Sequence, residues 1–434
     1  MANCRKPELL LPAGTLERLK IAFLYGADAV YAGMPSVSLR NKTSFTFDEM
    51  KSGIEYAHKL GKKVYLTMNL FTHNHDLPAV NAFIDQLSDL NPDGVIVSDP
   101  GVFDLLKERL PNMPRHISTQ ANICSSLTIR FWKNQGASLC VLGREVPLDE
   151  IRTIRKDCPD IRLEMFIHGA LCISYSGRCL LSSFMTGRNA NKGNCAHTCR
   201  WRYKTYQSSK QHPNESSSYY LEEENRPNQL LQIDEDSHGT YIMNSRDLCL
   251  LPRLDEILPI GMDSFKIEGR NKSEYYAAIT ARAYRHAIDD WFKDPIHWRP
   301  DKYMAELMTT QSRGYTVGFL DGVPGPEAQN YDEPGSHGDY RYVGLVRSHN
   351  QKRIVVEVKH KIEKGMILEA ISPFQFEPII LQVEELIDPR NGQLVESISS
   401  GRVGQLIEIK VNSSIITSLP PLSVIRICLS KAPF

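Results

Sequence analysis

No run of about 18 apolar residues occurs anywhere in the sequence, so it offers no segment able to span a bilayer as a helix. It has no excess of charge either, with 51 Lys and Arg against 51 Asp and Glu. That balance excludes a chain that coats nucleic acid by bulk charge, but it leaves room for a local basic groove. The opening MANCRKPELLLPAG has no apolar stretch of signal-peptide length, which leads to the expectation of a cytoplasmic chain with no membrane partner. Several catalytic templates are missing. No GxGxxG follows the first apolar run, and there is no HExxH, no GxSxG and no GxxxxGK[ST]. A dinucleotide fingerprint, a zinc-peptidase helix, a nucleophile elbow and a Walker loop are thereby excluded. The ten cysteines lack a secretory context, so they read as reduced thiols, metal ligands or catalytic groups rather than a disulfide framework.

What is present is an alternation of short apolar runs and amphipathic stretches. The runs are Glu8–Gly14, Ala29–Gly33, Lys63–Asn69, Gly94–Asp99, Arg115–Asn122, Ser138–Glu145, Arg162–Ala170 and Ser264–Arg270. Near-continuous apolar character suits parallel strands covered on both faces. Between them, segments such as Leu16–Tyr25 and Phe47–Leu60 place apolar residues at helical spacing. Eight such units predict an α/β fold, a (β/α)8 TIM-like barrel, with a doubly wound sheet as the rival. Tyr275–Phe292 reads as a further helix, and the Pro- and Gly-rich passage from Gly314 to Gly338 as a linker. From Tyr340 the pattern turns to short alternating segments broken by turns, which predicts a small all-β domain, barrel or sandwich. The expected division is a catalytic barrel over 1–335 with an insertion at 171–263, and a β-domain over 336–434.

Chemistry in such barrels sits at the C-terminal ends of the strands. There the sequence puts Asn69, Asp99, Gln120, Asn122, Arg144, Glu145, His168, Lys266, Glu268 and Arg270. Any one of them could cap a helix or hydrate a strand end; their recurrence at strand after strand favours a binding site. The connection from Ala170 to Ser264 is about 90 residues, far beyond the dozen or so that a crossover needs. Its stretch Gln207–Asp236 is polar, Ser-rich and then acidic, and is expected to be a mobile surface excursion.

That insertion carries Cys172-x6-Cys179-x15-Cys195-x3-Cys199, four of the ten cysteines within 28 residues. Soft thiolates at this density select zinc or an iron–sulfur cluster, and zinc is the weaker reading because its knuckles favour closer pairs. Cys249 is the alternative fourth ligand to Cys199. Cys4, Cys124, Cys140, Cys158 and Cys428 have no partner spacing and read as structural. Met165 to Asn214 contains seven Lys or Arg and no Asp or Glu. Within it, Arg200, Trp201, Arg202, Tyr203, Lys204 and Tyr206 interleave cations with aromatic rings, a combination that suits phosphates and unpaired bases; a solvated basic face explains the charge as well. His73 and His75, at i and i+2 with no carboxylate trio beside them, read as surface residues.

The segment EMFIHGALCISYSGRCLLS resembles the signature of the collagenase-like peptidases, peptidase family U32. The similarity extends through ELLLPAGTLERLKIAFLYGADAVYAG, HISTQANICS, NKGNCAHTCRWRY, GTYIMNSRDLC and SFKIEGRNKSEYY, nearly the whole expected barrel. The nearest resemblance is to members that hydroxylate tRNA. It implies oxygen-independent conversion of the wobble uridine in the anticodon loop to 5-hydroxyuridine. It also implies an iron–sulfur cluster, [4Fe–4S] in type, on Cys172, Cys179, Cys195 and Cys199, and prephenate, a dicarboxylate, as oxygen donor. For the dicarboxylate, Arg144 and Arg270 are suitable planar donors. Lys266, Glu268 and, more weakly, Glu145 are placed to move a proton at uracil. Gln120, Asn122, Asp99 and His168, with the Arg200–Tyr203 strip, would bind the flipped base. Proteolysis, as in the family's name, and an iron–sulfur accessory role are the alternatives.

Overall fold

The computed structural model describes residues 5–34, 37–38, 45–172, 174–175, 178–179, 181–188, 195–201, 203–207, 219–223, 230–233, 245–324, 326–328, 330, 338–350, 353–402, 404–411 and 419–429. Seven strands come first: β1 (Glu8–Pro12), β2 (Ala29–Gly33), β3 (Lys63–Met68), β4 (Gly94–Val97), β5 (Arg115–Ile117), β6 (Leu139–Val141) and β7 (Arg162–Gly169). Strands β8 (Tyr203–Gln207), β9 (Tyr219–Glu223), β10 (Leu230–Ile233) and β11 (Asp247–Cys249) lie in the insertion, and β12 (Ser264–Ile267) follows it. Strand β12 pairs in parallel with both β1 and β7, closing an eight-stranded parallel barrel. All eight expected runs are its strands.

The helices α1 (Leu16–Leu24), α2 (Phe47–Lys59), α3 (Leu77–Leu90), α4 (Pro100–Arg109), α5 (Ser126–Gln135) and α6 (Leu148–Asp157) connect the strands. Each start follows from its sequence. Thr15 accepts from Arg18 N, Thr46 and Glu49 close a capping box, and Ser125 accepts from Thr128 N. Alternation along β1 divides the core. Leu9 and Leu11 join the large core between strands and helices, whereas Leu10 joins Ala29, Tyr31, Tyr65 and Ile96 inside the barrel. Each fully buried leucine contributes about 1.5–3 kcal/mol.

The insertion also contains α7 (Leu181–Thr186) and α8 (Leu254–Ile257). Part of the expected mobile excursion is ordered: β10, β9 and β8 form an antiparallel sheet in that order. The segments YYLEE and LLQI carry enough β-favouring residues to pair in spite of the polar chain around them. The expected linker is corrected too. Strand β13 (Tyr315–Thr316) pairs in parallel with β11, and Leu320 is buried in the barrel core. Apolar residues within the Pro- and Gly-rich passage anchor it there.

Helices α9 (Glu274–Lys293) and α10 (Asp301–Leu307) follow β12. The C-terminal strands are β14 (Tyr340–His349), β15 (Arg353–Val358), β16 (Ile362–Glu363), β17 (Ile367–Ile371), β18 (Ile379–Ile387), β19 (Leu394–Val395), β20 (Ser397–Ile398), β21 (Leu406–Val411) and β22 (Val424–Cys428). Six of them close on themselves in the order β17-β22-β14-β15-β21-β18, with β18 returning to β17, so the all-β region is a barrel. It is joined to the first barrel by more than covalent chain. Tyr25 Oη donates to the Ile371 carbonyl at 2.6 Å and accepts from Val424 N at 3.1 Å. Arg282, Glu306, Glu369 and Arg426 form a buried charged group across the junction. Among the described residues, no helix is long and apolar enough to cross a membrane.

Candidate active site

A connected polar layer runs from inside the barrel to the C-terminal ends of its strands. Glu164 on β7 is fully buried and accepts from Lys266 Nζ at 2.8 Å and Ser264 Oγ at 2.9 Å. The Lys266 ammonium also lies 4.6 Å from the centre of the Tyr31 ring. Tyr31 Oη sits 3.0 Å from the Ile267 carbonyl and 3.1 Å from Glu268 Oε2. Arg270 Nη1 donates to Ser38 Oγ at 2.6 Å and Thr67 Oγ1 at 3.0 Å, and its guanidinium is 5.8 Å from the same Tyr31 ring. Lys266, Glu268 and Arg270 therefore converge around one tyrosine. Gly33 permits it: a Cβ there would fall 2.8 Å from Arg270 Nη1 and closer still to Ser38. Lys266 is bound into an ion pair inside the barrel, which fits a structural layer better than a free proton carrier.

Gln120 is the second hub. Its Oε1 accepts from Asn69 Nδ2 (2.9 Å), Ser98 Oγ (3.0 Å) and Ser118 Oγ (3.2 Å). Its backbone carbonyl receives Arg178 Nε at 3.1 Å and Nη2 at 2.5 Å. Arg178 precedes Cys179, so this contact ties the thiol-bearing segment to the barrel rim. Tyr175, on the same segment, is exposed, and its interaction with the Cys124 thiol pushes its phenol up to about 12. Arg144 lies with its guanidinium 3.8 Å from the Phe166 ring centre, and its buried Nε has no hydrogen-bond partner among the described residues. A small cavity opens beside it, lined also by Met165, Leu248, Val317 and Leu320.

Three expected site residues are placed elsewhere. Asp99 caps α4, accepting from Gly101 N at 2.8 Å and Val102 N at 3.1 Å. Asn122 is exposed and takes φ 63°, closing the tight turn that ends at Cys124. His168 faces α9, against Tyr276, Tyr284 and Tyr315, because the β7–β12 register shifts between Lys266 and Ile267. The bulge turns the strand end outward. There His168 Nδ1 lies 3.3 Å from Tyr284 Oη, and burial drives its pKa down to about 4.

The thiols of Cys172, Cys179, Cys195 and Cys199 are unbridged and half-buried. Cys172 Sγ is 2.8 Å from Ser174 Oγ, and Cys195 Sγ accepts from His197 N at 3.3 Å. Trp201 Nε1 donates to the Ala196 carbonyl and Tyr203 Oη to that of Thr198, so both rings brace the loop that carries Cys195 and Cys199. Lys204 pairs across the sheet with Glu222. Arg202 and the Arg200 side chain lie outside the described residues. Cys249 is 2 % exposed, with Sγ 3.6 Å from Tyr284 Oη and 3.7 Å from Met304 Sδ, and burial pushes its thiol up to about 11. That is the setting of a core thiol.

A family model described as peptidase family U32 matches residues 14–330, and one for the family's C-terminal domain matches residues 338–426. The chain belongs to peptidase family U32. Among its relatives is tRNA hydroxylation protein P of Haemophilus influenzae, 38% identical over 424 residues, covering 89% of this chain and 91% of the relative. The Escherichia coli protein of the same name is 39% identical over 396 residues, covering 85% and 86%. The 23S rRNA 5-hydroxycytidine C2501 synthase of E. coli is 33% identical over 285 residues, covering 65% of this chain and 39% of the synthase.

In this U32 chain, four half-buried thiols in a basic segment are donor chemistry that fits an iron–sulfur cluster. Among the described residues no three His, Cys, Asp or Glu side chains are grouped as a ligand set. Sequence spacing passed over one U32 residue at the rim, Cys124. Its Sγ donates to Glu145 Oε1 at 3.4 Å, and a Cβ on Gly143 would crowd both groups. The only sequence signal was its place just past the end of β5, beside the end of β6. The cap assignment has a direct consequence. Asp99→Ala is expected to lower stability by about 1 kcal/mol and leave substrate affinity unchanged, which a urea midpoint and a binding titration check together.

Proposed function

We propose that this chain hydroxylates transfer RNA, converting the wobble uridine to 5-hydroxyuridine without dioxygen. The observation that carries this is 38–39% identity, over most of both chains, to proteins named for tRNA hydroxylation. Cys172, Cys179, Cys195 and Cys199 would hold the cluster. Bound there, an iron–sulfur centre would supply electron transfer.

The chain's own residues supply the rest. With its Oε1 engaged by three donors, Gln120 presents its Nε2 hydrogens to a base carbonyl. Arg270, whose Nη1 donates to the Ser38 and Thr67 hydroxyls, sets a planar guanidinium beside the Tyr31 ring, a group suited to a carboxylate or phosphate. Arg144, flat on Phe166, offers a second such group. Prephenate as oxygen donor fits two cationic planar groups, since it carries two carboxylates. Arg178 ties the thiol segment to the rim at the Gln120 carbonyl.

The test is nucleoside analysis of tRNA from cells lacking the gene, with and without the gene restored. Derivatives of 5-hydroxyuridine are expected to vanish and return; unchanged levels overturn the proposal. Anaerobically purified protein is expected to be brown and to contain iron and sulfide, and a colourless protein with stoichiometric zinc rejects the cluster. Hydroxylation in vitro is expected to stop when prephenate is omitted. Gelatin cleavage that survives loss of Cys172 and Cys179 would favour the peptidase alternative.

A further inference from the structure

The rim of the barrel holds a nucleophile and a base in contact. Cys124 Sγ and Glu145 Oε1 are 3.4 Å apart, within reach for a thiol donating to a carboxylate. The two residues lie in the connections that follow β5 and β6, which pair in parallel, Cys124 after the turn Thr119–Ala121 and Glu145 shortly after β6. Both groups lie against the Cα of Gly143. A Cβ there would sit 2.9 Å from the sulfur and 2.7 Å from the carboxylate oxygen, so glycine is what lets them meet. Both side chains are half-buried, neither sealed in the core nor fully hydrated. Tyr175, from the segment between Cys172 and Cys179, interacts with the same thiol, which raises the pKa of its phenol. Nucleophile, base and orienting hydroxyl thus meet at the catalytic face of the barrel.

We propose that Cys124 adds to C6 of the target uracil, with Glu145 taking the thiol proton and Tyr175 holding the sulfur in place. This rests on the tRNA uridine reading above. Uracil C5=C6 is conjugated with the C4 carbonyl, so a soft sulfur adds at C6. The S–H proton passes to Glu145, the C6–S bond forms and the C5–C6 π bond breaks. That electron pair moves to the C4 oxygen as an enolate, which makes C5 electron-rich. After C5 has accepted a new substituent, a water molecule takes the original C5 hydrogen as a proton, and the C–H electron pair restores the enolate. Its collapse re-forms C5=C6 and expels the sulfur, which recovers its proton from Glu145. Addition and elimination are redox-neutral, and they precede and follow any oxygen transfer. When the incoming group is a solvent proton, the same sequence exchanges H5.

The experiment uses the full chain and a tRNA bearing unmodified wobble uridine, in heavy water, with and without prephenate. Mass analysis of the wobble nucleotide is expected to show deuterium at C5 with the wild type. Cys124→Ala and Cys124→Ser are expected to lose both exchange and hydroxylation by about 10²-fold or more. Their unfolding midpoints and tRNA affinity are expected to match wild type. Glu145→Gln is expected to slow exchange by at least about 10-fold and to shift its pH profile. Wild-type hydroxylation without exchange overturns the inference, as does a Cys124→Ala chain that hydroxylates at the wild-type rate. A wild-type chain that restores no hydroxyuridine to deletion-strain tRNA overturns the tRNA reading as well, so the two failures are told apart by that first measurement.

Discussion

Glu306→Ala is expected to destabilise the chain by about 3–5 kcal/mol, one of the largest effects a single substitution here can have. Glu306 is 6 % exposed and pairs with two arginines that are buried more deeply still. Arg282, on α9, also donates to the carbonyls of Gln375 and Phe376. Arg426, on β22, reaches Glu306 at 3.2 Å, Glu369 at 2.8 Å, Tyr275 Oη at 3.2 Å and Thr309 Oγ1 at 2.9 Å. Two cations and two carboxylates balance. Removing Glu306 leaves one positive charge uncompensated where water cannot reach it, and the other hydrogen bonds do not restore that charge. Because the group lies where α9 and α10 meet the C-terminal barrel, the two barrels are expected to lose their common unfolding transition. Glu306→Gln keeps the shape and some hydrogen bonds but not the charge, and is expected to fall between wild type and alanine. Calorimetry reads both effects. A Glu306→Ala midpoint within experimental error of wild type would show that the pairs contribute nothing.

How much of this was legible in the sequence depends on whether a contact is made within one period of the chain. The barrel strands were legible because each is short, apolar and covered on both faces, as with Leu9, Leu10 and Leu11 on β1. The cysteine spacing is visible because it is local, but among the described residues no three such side chains are grouped as a ligand set. The orientation of His168 was not: it is set by a register shift against β12, about 100 residues further on, and a one-residue slip turns every later side chain to the other face. The Cys124–Glu145 contact is equally non-local, since it depends on β5 and β6 being neighbours. Asp99 was ambiguous for a different reason: a strand-end carboxylate followed by Pro-Gly is an equally good helix cap, and only the hydrogen bonds to Gly101 and Val102 decide between the two. The stretch after Gly314 was misjudged on composition, because glycine and proline signal turns without saying whether Leu320 between them finds a core.

Acid is expected to destabilise the chain well before its carboxylates titrate. His116 is buried inside the barrel, its ring 4.6 Å from that of Tyr65, and burial first, then the charges of Arg162, Lys266 and Lys63, lowers its pKa to about 3. His168 is lowered to about 4 by burial, with Asp247 opposing the shift. Unfolded, both return to about 6.5. The folded chain therefore binds fewer protons than the unfolded chain below pH of about 6.5, and stability must fall as pH falls. The contribution is fully present above that value and is lost progressively down to the folded pKa values. At pH 5, about 1.5 units below the unfolded value, each histidine costs about 2 kcal/mol, and the pair about 4 kcal/mol. Urea midpoints at pH 7 and pH 5 measure it. His116→Phe keeps a ring against Tyr65 and removes the proton site, so about half of the pH 7-to-5 loss should disappear in that variant. A variant as acid-sensitive as wild type would mean that His116 already carries its proton in the fold, and the electrostatic account of the barrel interior would then have to be redrawn around a cation at that position.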